Sequence, residues 1–490
     1  MLQRLPRLLL AAALLLYGFV FTWLLALRHA RFATFDFDLG IFDQNVWLLS
    51  QGKSFLTVRG LEIFGHHASL GHFLFVPFYW LGAGPDFLNA AMVAAVVVAA
   101  LVLFRLASNM SGSEWIGLAL ALAFAVHPTT TWLLQETYHP EVMAIAPLFL
   151  AFEAAERGRF RACALWLVLA VSFKEDIALA AAMMGLLVAL RGQCRVGLAI
   201  VAASLAWFVF VLEVLLPHYT PGGAFFQEFY SHLGETPGEV VTGILTSPGT
   251  VLEHLAKADA AGYLAGLADA YGFTPLFSPL PLLFGLPQFA ANLLSQHSFT
   301  WSLRLHYAAL VLAAMTVAMV EGVCRRRNPV VRHALAVLVL VCATATSLLR
   351  GIGPSSRDFR AGYWPLVEQA RTSTISRAIS LPGPDDVVSA SYTIVPHLTH
   401  RERVYRFPNP WWSAGWGVNG ENMHSPEAVE WIVLDKLLLG EDDRGLYRHL
   451  RSAKSDWKVV LAEDDVVVMR RRRGSAAASR RGQISSNRTR

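Results

Sequence analysis

Charged, amide and imidazole side chains are concentrated in four segments that lie far apart along the sequence. They are Asp36, Asp38, Asp43, Gln44, His66, His67 and His72 in the first segment, His127, Glu136, His139 and Glu141 in the second, Lys174, Glu175 and Asp176 in the third, and Gln296, His297, Arg304 and His306 in the fourth. A carboxylate can take a proton from a hydroxyl group, and a cation can neutralise a leaving phosphate. These residue types therefore suit a group-transfer reaction, provided that the fold brings the segments together.

Each of these groups also has a plain structural explanation. Asp36 and Asp38 could be solvated loop acids, although the alternation of Phe and Asp around them suggests a segment half-buried at the membrane interface. His139-Pro140-Glu141 is typical of a helix start, with Pro in the first turn and Glu complementing the helix dipole. Lys174-Glu175-Asp176 could be a self-neutralising ion cluster that ends two helices.

The composition shows what kind of element must position these groups. Hydrophobic residues make up 54% of the 490 residues and charged residues 16%, whereas soluble domains contain about 25% charged residues. Long apolar runs recur between residues 8 and 349, which predicts a polytopic α-helical membrane protein. Residues 470–490 contain eight Arg and no acid; removing these eight charges from the net +5 leaves −3. The basic character thus belongs to a tail, and no nucleic-acid partner is expected.

Basic residues in short loops predict the orientation of the spans. They are Arg4, Arg7, Arg105, Arg157, Arg159, Arg161, Arg191, Arg195, Arg325, Arg326, Arg327 and Arg332, and all fall on one side if the N-terminus is cytoplasmic. The segment 161–190 is predicted to form two short spans that turn outside at Lys174, because three adjacent charges at the bilayer centre would be costly. Two weak spans near 259–274 and 276–292 bring the count to about 11, with the C-terminus outside. A re-entrant pair in this region is the alternative.

The regions outside the membrane divide the chain into three predicted parts. Residues 1–350 form the membrane domain, with outer loops over 28–85 and 217–257. Residues 351–470 are predicted to form a small extracytoplasmic α/β domain with a helix over 365–380. Its predicted strands are 387–390, 429–434, 457–461 and 466–469, the last two joined as a hairpin. The Arg-rich tail, 471–490, is expected to be disordered.

Five short runs resemble a known family of predicted bacterial membrane proteins. They are Asp38-Leu39-Gly40-Ile41-Phe42-Asp43-Gln44, Tyr138-His139-Pro140-Glu141, Lys174-Glu175-Asp176, Asn292-Leu293-Leu294-Ser295 and Val395-Pro396-His397-Leu398-Thr399-His400-Arg401. They follow the family's order, and the resemblance extends from about residue 15 to about residue 470. The family is known as domain of unknown function 2079.

This resemblance implies a fold and an activity. The family is similar to the GT-C superfamily of membrane glycosyltransferases, which transfer a sugar from a polyprenyl-phosphate carrier to an acceptor outside the membrane. In that superfamily the usual catalytic group is an acidic residue of the first outer loop. Asp38 lies in the matching run, and Asp36 is its near alternative. The implied setting is the bacterial plasma membrane, with a lipid-linked sugar donor, membrane lipids and a cell-envelope acceptor as partners.

The other charged groups would then bind the substrates. The candidate substrate-binding residues are Lys174, Glu175, Asp176, His139, Glu141, Arg304 and His306. Lys174 and Arg304 could neutralise the leaving phosphate. The acids among them could hold a divalent cation through oxygen ligands or orient Lys174, and the cofactor requirement stays open.

Two other classes of function remain open from the sequence. A lipid or solute transporter would need buried charges in mid-span and an inverted repeat. A non-catalytic assembly or binding protein would work through its outer domain, where Trp411, Trp412 and Trp416 could line a sugar site or touch the membrane interface.

Overall fold

The computed structural model describes residues 4–220, 225–413, 425–452 and 455–472, and these are mostly helical. The α-helices are, in chain order, α1 Leu5–Ala30, α2 Ile41–Ser50, α3 Ile63–His66, α4 Val76–Trp80, α5 Pro85–Ser111, α6 Glu114–Val126, α7 Pro128–Gln135, α8 Pro140–Glu156, α9 Phe160–Val171, α10 Ile177–Leu190, α11 Cys194–Phe210, α12 Leu216–Tyr219, α13 Pro237–Thr246, α14 Pro248–Lys257, α15 Ala260–Ala268, α16 Leu286–Leu294, α17 Ala309–Cys324, α18 Pro329–Arg350, α19 Arg371–Ile379 and α20 Glu441–Leu450. Trp416 and all but the first two residues of the predicted disordered tail lie outside the described residues.

Several helices are long and apolar enough to cross a membrane, as the composition predicted. Within the described residues, five helical stretches meet this requirement: Leu5–Ala30, Pro85–Ser111, Cys194–Tyr219, His306–Cys324 and Pro329–Arg350. A sixth span is possible if α6 and α7, which meet at an angle of 47°, count as one broken helix. The chain is therefore a multi-pass membrane protein.

The first compact unit contains Met1–Leu27, Phe64–Leu74 and Asp86–Leu366. Helix α17 is buried along its whole length and forms the centre of this unit. Helices α11 and α18 expose many apolar side chains, as expected of surfaces in contact with lipid tails. Helices α10 and α11 approach closely at Gly197, where an added Cβ would lie 2.4 Å from the backbone nitrogen of Ala189.

The region 256–294 differs from two regular spans. It contains α15, three 3₁₀ turns and α16, and each α-helix has only 9 residues. A membrane span needs about 20 residues, so neither helix can cross a bilayer alone. Proline at positions 275, 279, 281 and 287 removes backbone donors and breaks the helical path.

The second compact unit contains Arg28–Ile63, Phe75–Pro85 and Val367–Arg490. Its described strands are β1 Phe55–Leu56, β2 Leu61–Glu62, β3 Val388–Ala390, β4 Val404–Arg406, β5 Trp431–Asp435, β6 Trp457–Glu463 and β7 Val466–Arg471. The main sheet has the order β4-β3-β5-β7-β6, with β4, β3 and β5 parallel and the remaining pairs antiparallel. Its apolar core includes Ile432, Leu434 and Met469, together with Tyr447 of α20.

The second unit includes part of the first predicted outer loop. Gln44 donates to the backbone oxygen of Arg401 at 3.2 Å, and Thr57 donates to the backbone oxygen of Val404 at 2.9 Å. In return, the Thr57 hydroxyl accepts from the Val404 nitrogen at 3.0 Å. The loop is therefore hydrogen-bonded to the first residue of β4, which the sequence analysis did not predict as a strand.

Candidate functional site

The turn between α9 and α10 carries three adjacent charged residues. Helix α9 ends at Val171 and α10 begins at Ile177, so the break predicted within 161–190 is confirmed. The turn is fixed from a distant part of the chain, because the Gly71 nitrogen donates to the Ser172 oxygen at 2.6 Å. A Cβ at Gly71 would lie 2.8 Å from the Phe173 ring, so this close approach requires glycine.

Lys174 is buried in the first unit and paired with two carboxylates. Its ammonium nitrogen lies 2.5 Å from Oε1 of Glu141 and 3.3 Å from Oδ2 of Asp176. Glu141 stands in the first turn of α8, directly after Pro140. That position is favourable for an acid because the helix N-terminus carries a partial positive charge. The helix start expected from the sequence is therefore compatible with a role in binding.

Glu175 contacts the segment that precedes the 3₁₀ turn Leu70–Leu74. Its Oε1 lies 2.8 Å from Nδ1 of His67, and its Oε2 accepts from the Ala68 nitrogen at 3.0 Å. The side chains of Glu175 and His67 are 4% and 11% exposed, so this pair is almost fully shielded from solvent. Both oxygens of the Glu175 carboxylate are thus satisfied.

The charges of the turn shift one another's titration. Burial alone would lower the pKa of Lys174, but the negative charges of Asp176, Glu141 and Glu175 raise it well above its usual range. Burial would raise the pKa of Glu175, but His67 and Lys174 lower it to about 2. Burial raises the pKa of Asp176 against the opposing charge of Lys174. Lys174 is therefore held as a buried cation by the carboxyl groups of Glu141 and Asp176.

Two imidazoles and a carboxylate meet beside this turn. Nδ1 of His306 lies 2.7 Å from Oε1 of Glu136, and the His306 ring stacks on the His139 ring at a centroid distance of 4.0 Å. Nε2 of His139 lies 3.9 Å from the same Glu136 oxygen. Nε2 of His306 lies 3.9 Å from Oε1 of Glu141, which connects this group to Lys174.

The first unit thus joins most of the predicted substrate-binding residues in one group of contacts, which we call the charged cluster. Its members are His67, Glu136, His139, Glu141, Lys174, Glu175, Asp176 and His306. Glu136 and His67 were among the polar residues noted in the sequence, but neither was predicted to bind a substrate. The signal for Glu136 was its position three residues before His139, and no comparable signal existed for His67.

Arg304 occupies a different setting in the same unit. Its guanidinium lies over the Trp132 ring at 4.6 Å and donates to the Tyr363 hydroxyl at 3.0 Å. The side chain is exposed, and its charge is partly offset by these aromatic faces. It is a cation held in place at the surface of the first unit.

The two candidate catalytic acids belong to the second unit. Asp36 and Asp38 lie on a π-helical turn, Asp36–Gly40, a geometry found frequently at functional sites. Asp36 is buried and its Oδ2 lies 4.0 Å from Nε of Arg406, whereas Asp38 is half-buried. Burial raises the pKa of Asp36 to about 7; Arg406 opposes the rise and the charge of Asp38 adds to it.

Asp43 lies one helical turn beyond these acids and has a structural role. Its Oδ1 accepts from the Tyr79 hydroxyl at 2.5 Å, and its Oδ2 accepts from the Thr399 hydroxyl. Nε2 of His400 lies 3.2 Å from the same Oδ2. These contacts connect the two runs that carry much of the family resemblance, and they satisfy a buried carboxylate.

Residues 28–468 match the sequence model of a family described as predicted membrane protein, DUF2079. The chain belongs to this family. Among curated proteins, no sequence matches that of this DUF2079 protein. The family match extends over most of both compact units and contains all of the candidate site residues, so the charged cluster and the acid pair both lie in the part of the chain that matches the family.

Proposed function

We propose that this DUF2079 protein is a GT-C-like glycosyltransferase that transfers a sugar from a polyprenyl-phosphate donor to an extracytoplasmic acceptor. The observation that carries the proposal is the acid pair on the Asp36–Gly40 turn. It combines a half-buried carboxylate, Asp38, with a buried neighbour, Asp36, whose pKa is raised to about 7. A general base works best when its pKa lies near the working pH, and this property supports Asp36 as the alternative base.

The proposed reaction is a single displacement at the anomeric carbon. The acceptor hydroxyl attacks this carbon as the bond to the polyprenyl-phosphate oxygen breaks, and the phosphate leaves with the electron pair. Asp38 takes the proton of the attacking hydroxyl, because it is the more accessible acid of the pair. Asp36 is the alternative base. Attack opposite the leaving group inverts the configuration of the sugar.

Lys174 supplies the electrostatic support for the leaving phosphate in this proposal. It is held protonated by the carboxylates around it, so it offers a fixed positive charge in a site of low dielectric constant. Arg304, fixed over Trp132, is a second cation for the anionic donor. The carboxylates of Glu141 and Asp176 keep Lys174 in place while no phosphate is bound.

The proposal includes a topology and a division into domains. The chain crosses the bacterial plasma membrane about 11 times, with a cytoplasmic N-terminus. This count includes α9 and α10 as short spans, and α15 and α16 as spans that cross only together with the 3₁₀ turns between them. Residues 1–350 form the membrane domain, residues 351–470 an extracytoplasmic domain and residues 471–490 a disordered tail. The partners are a lipid-linked sugar donor, membrane lipids and a cell-envelope acceptor.

The purified full-length protein, reconstituted in liposomes, tests this proposal. A panel of radiolabelled polyprenyl-phosphate sugars and a total lipid extract serve as donors, and cell-envelope fractions serve as acceptors. Wild-type protein should release polyprenyl phosphate, and Asp38→Asn should lower turnover by about 10²–10⁴-fold. Asp442→Asn, a change at an exposed acid of α20, is the matched control and should leave turnover unchanged.

Three outcomes would decide against the proposal as stated. Loss of turnover in Asp36→Asn alone would move the base by two residues. Equal activity of both variants and the wild type would remove the acids from the mechanism. Absence of sugar transfer from every donor by the wild type would favour a non-catalytic role in the membrane.

A further inference from the structure

Three side chains of the charged cluster that could hold a metal ion lie close together. Glu136 follows the last residue of α7, His139 precedes α8, and His306 begins the 3₁₀ turn before α17. One donor atom from each residue lies within 4.8 Å of the other two. The chain thus brings two imidazoles and a carboxylate together across 170 positions of sequence.

The separations of these donor atoms suit a common metal ion. Zinc binds nitrogen and oxygen ligands at about 2.0–2.1 Å, so two ligands of a tetrahedral ion stand about 3.3 Å apart. Oε1 of Glu136 lies 2.7 Å from Nδ1 of His306 and 3.9 Å from Nε2 of His139. The observed distances lie on either side of the required one, and the third separation, between the two imidazole donors, is within 4.8 Å. The His139 and His306 rings are stacked, so one ring must turn for both nitrogen lone pairs to reach one ion.

The protonation of His139 is also suited to metal binding. Nδ1 of His139 lies 3.2 Å from the backbone oxygen of Thr137, so a proton on Nδ1 can be donated to that oxygen. This tautomer leaves a lone pair on Nε2, the atom that faces Glu136. Metal-binding histidines commonly donate their second ring N–H to a backbone carbonyl in this way.

A buried carboxylate oxygen beside the trio is a second, independent observation that favours a cation at this place. Oε2 of Glu141 is buried and has no hydrogen-bond partner among the described residues. The Glu141 side chain is 5% exposed, and its other oxygen lies 3.9 Å from Nε2 of His306. A buried polar atom without a partner is costly, and a bound cation would satisfy it.

We propose that Glu136, His139 and His306 bind a divalent metal ion of the zinc class, with the Glu141 carboxylate beside the site. Two imidazoles with carboxylates favour Zn²⁺ and its neighbours over Mg²⁺ and Ca²⁺, which prefer oxygen ligands alone. The site would tie the junction of α7 and α8 to the start of α17. It does not rest on the proposed glycosyltransferase activity, because the same ligands can stabilise a membrane domain of any function.

Metal titration of the full-length protein in detergent tests this inference. After treatment with a chelator, Co²⁺ should produce visible absorption bands typical of tetrahedral coordination, and Zn²⁺ should displace it with a measurable heat. His139→Gln and Glu136→Gln should each weaken Zn²⁺ binding by about 100-fold or more, since both remove a direct ligand. The matched controls are His333→Gln and Glu235→Gln, which change exposed residues outside the charged cluster and should bind as the wild type does.

Two results would overturn the site. The first is the absence of both a Co²⁺ band and a Zn²⁺ heat in the wild type, which would leave Glu136 and His306 as an ion pair. The second is unchanged Zn²⁺ affinity in His139→Gln. If His139→Gln does not fold, Glu136→Gln decides by the same titration. Sugar transfer is measured separately, so failure of one proposal does not imply failure of the other.

Discussion

The ammonium group of Lys174 lies 2.5 Å from the carboxylate of Glu141, although the two residues are 33 positions apart. Lys174 lies in the turn between α9 and α10, and Glu141 lies in the first turn of α8. Both side chains are buried, with exposed fractions of 11% and 5%. Bringing two opposite charges out of water is costly, and the mutual attraction repays the cost only while both partners are present. The pair is therefore sensitive to the loss of either charge and tolerant of the loss of both.

Replacement of Lys174 by methionine should destabilise the first unit strongly. Lys174→Met leaves the Glu141 carboxylate buried without its cation, and we expect a loss of about 3–5 kcal/mol in the free energy of unfolding. The double variant Lys174→Met/Glu141→Met should recover much of this loss. The measurement is SDS-induced unfolding of the full-length protein in mixed micelles.

An exposed ion pair of the same chain provides the control for this experiment. Lys53 pairs with Glu402, and these side chains are 44% and 56% exposed. Solvent screening makes such a pair worth about 0–1 kcal/mol, so Lys53→Met should change little. Equal effects of Lys174→Met and Lys53→Met would show that burial of the Lys174 pair carries no energetic weight.

Asp36 should make stability depend on pH. Burial raises its pKa from 3.8 to about 7 in the folded protein, so the folded state binds the proton more tightly than the unfolded state. The free energy of unfolding should therefore fall as pH rises from about 4 to about 7, by up to about 1.4 kcal/mol per pH unit. Asp36→Asn removes this dependence, and its stability relative to the wild type should increase between pH 5 and pH 8.

Thermal unfolding in detergent at pH 5 and pH 8 measures this difference. Asp442→Asn is the control, because Asp442 is exposed on α20 and its charge should be fully solvated. A difference between Asp36→Asn and the wild type that is equal at both pH values would contradict the raised pKa of Asp36.

Local patterns predicted the elements whose signals lie within a few residues. The hairpin of β6 and β7 was expected from two apolar runs around four turn residues, and the structure pairs these strands with Asp464 and Asp465 at φ values of 47° and 63°. The break at Lys174 was expected because charges are costly inside a bilayer. Such signals depend on propensity and solvation, which act at short range along the chain.

Long-range pairings could not be predicted in this way. The hydrogen bond between Thr399 and Asp43 joins residues 356 positions apart, and the hydrogen bond between His306 and Glu136 joins residues 170 positions apart. A side chain's type and spacing do not say which distant partner it meets. Strand β4 was not predicted for a different reason. Its three residues, Val404–Arg406, are too few to show the alternating pattern that identifies a strand.

The proposed topology predicts where two cysteines react. In that topology helix α20 lies outside the cytoplasm, and Cys194, which is exposed at the start of α11, lies on the cytoplasmic side. Asp442→Cys in a Cys194→Ser background should react with a membrane-impermeant maleimide in intact cells. Cys194 of the wild type should react only after the membrane is permeabilised. The reverse pattern would invert the orientation and place α20 in the cytoplasm.

Gly71 should be essential for the turn that carries Lys174. Its nitrogen donates to Ser172 at 2.6 Å, and an added Cβ would lie 2.8 Å from the Phe173 ring. Overpacking of this kind costs about 1–3 kcal/mol, so Gly71→Ala should lower the free energy of unfolding by that amount. It should also weaken the binding of a polyprenyl-phosphate analogue, since a displaced turn moves Lys174.

Gly249→Ala is the control for Gly71→Ala, because a Cβ there meets nothing within 4 Å. Wild-type stability in Gly71→Ala would show that the Phe173 ring can move aside, and that the turn does not depend on this contact.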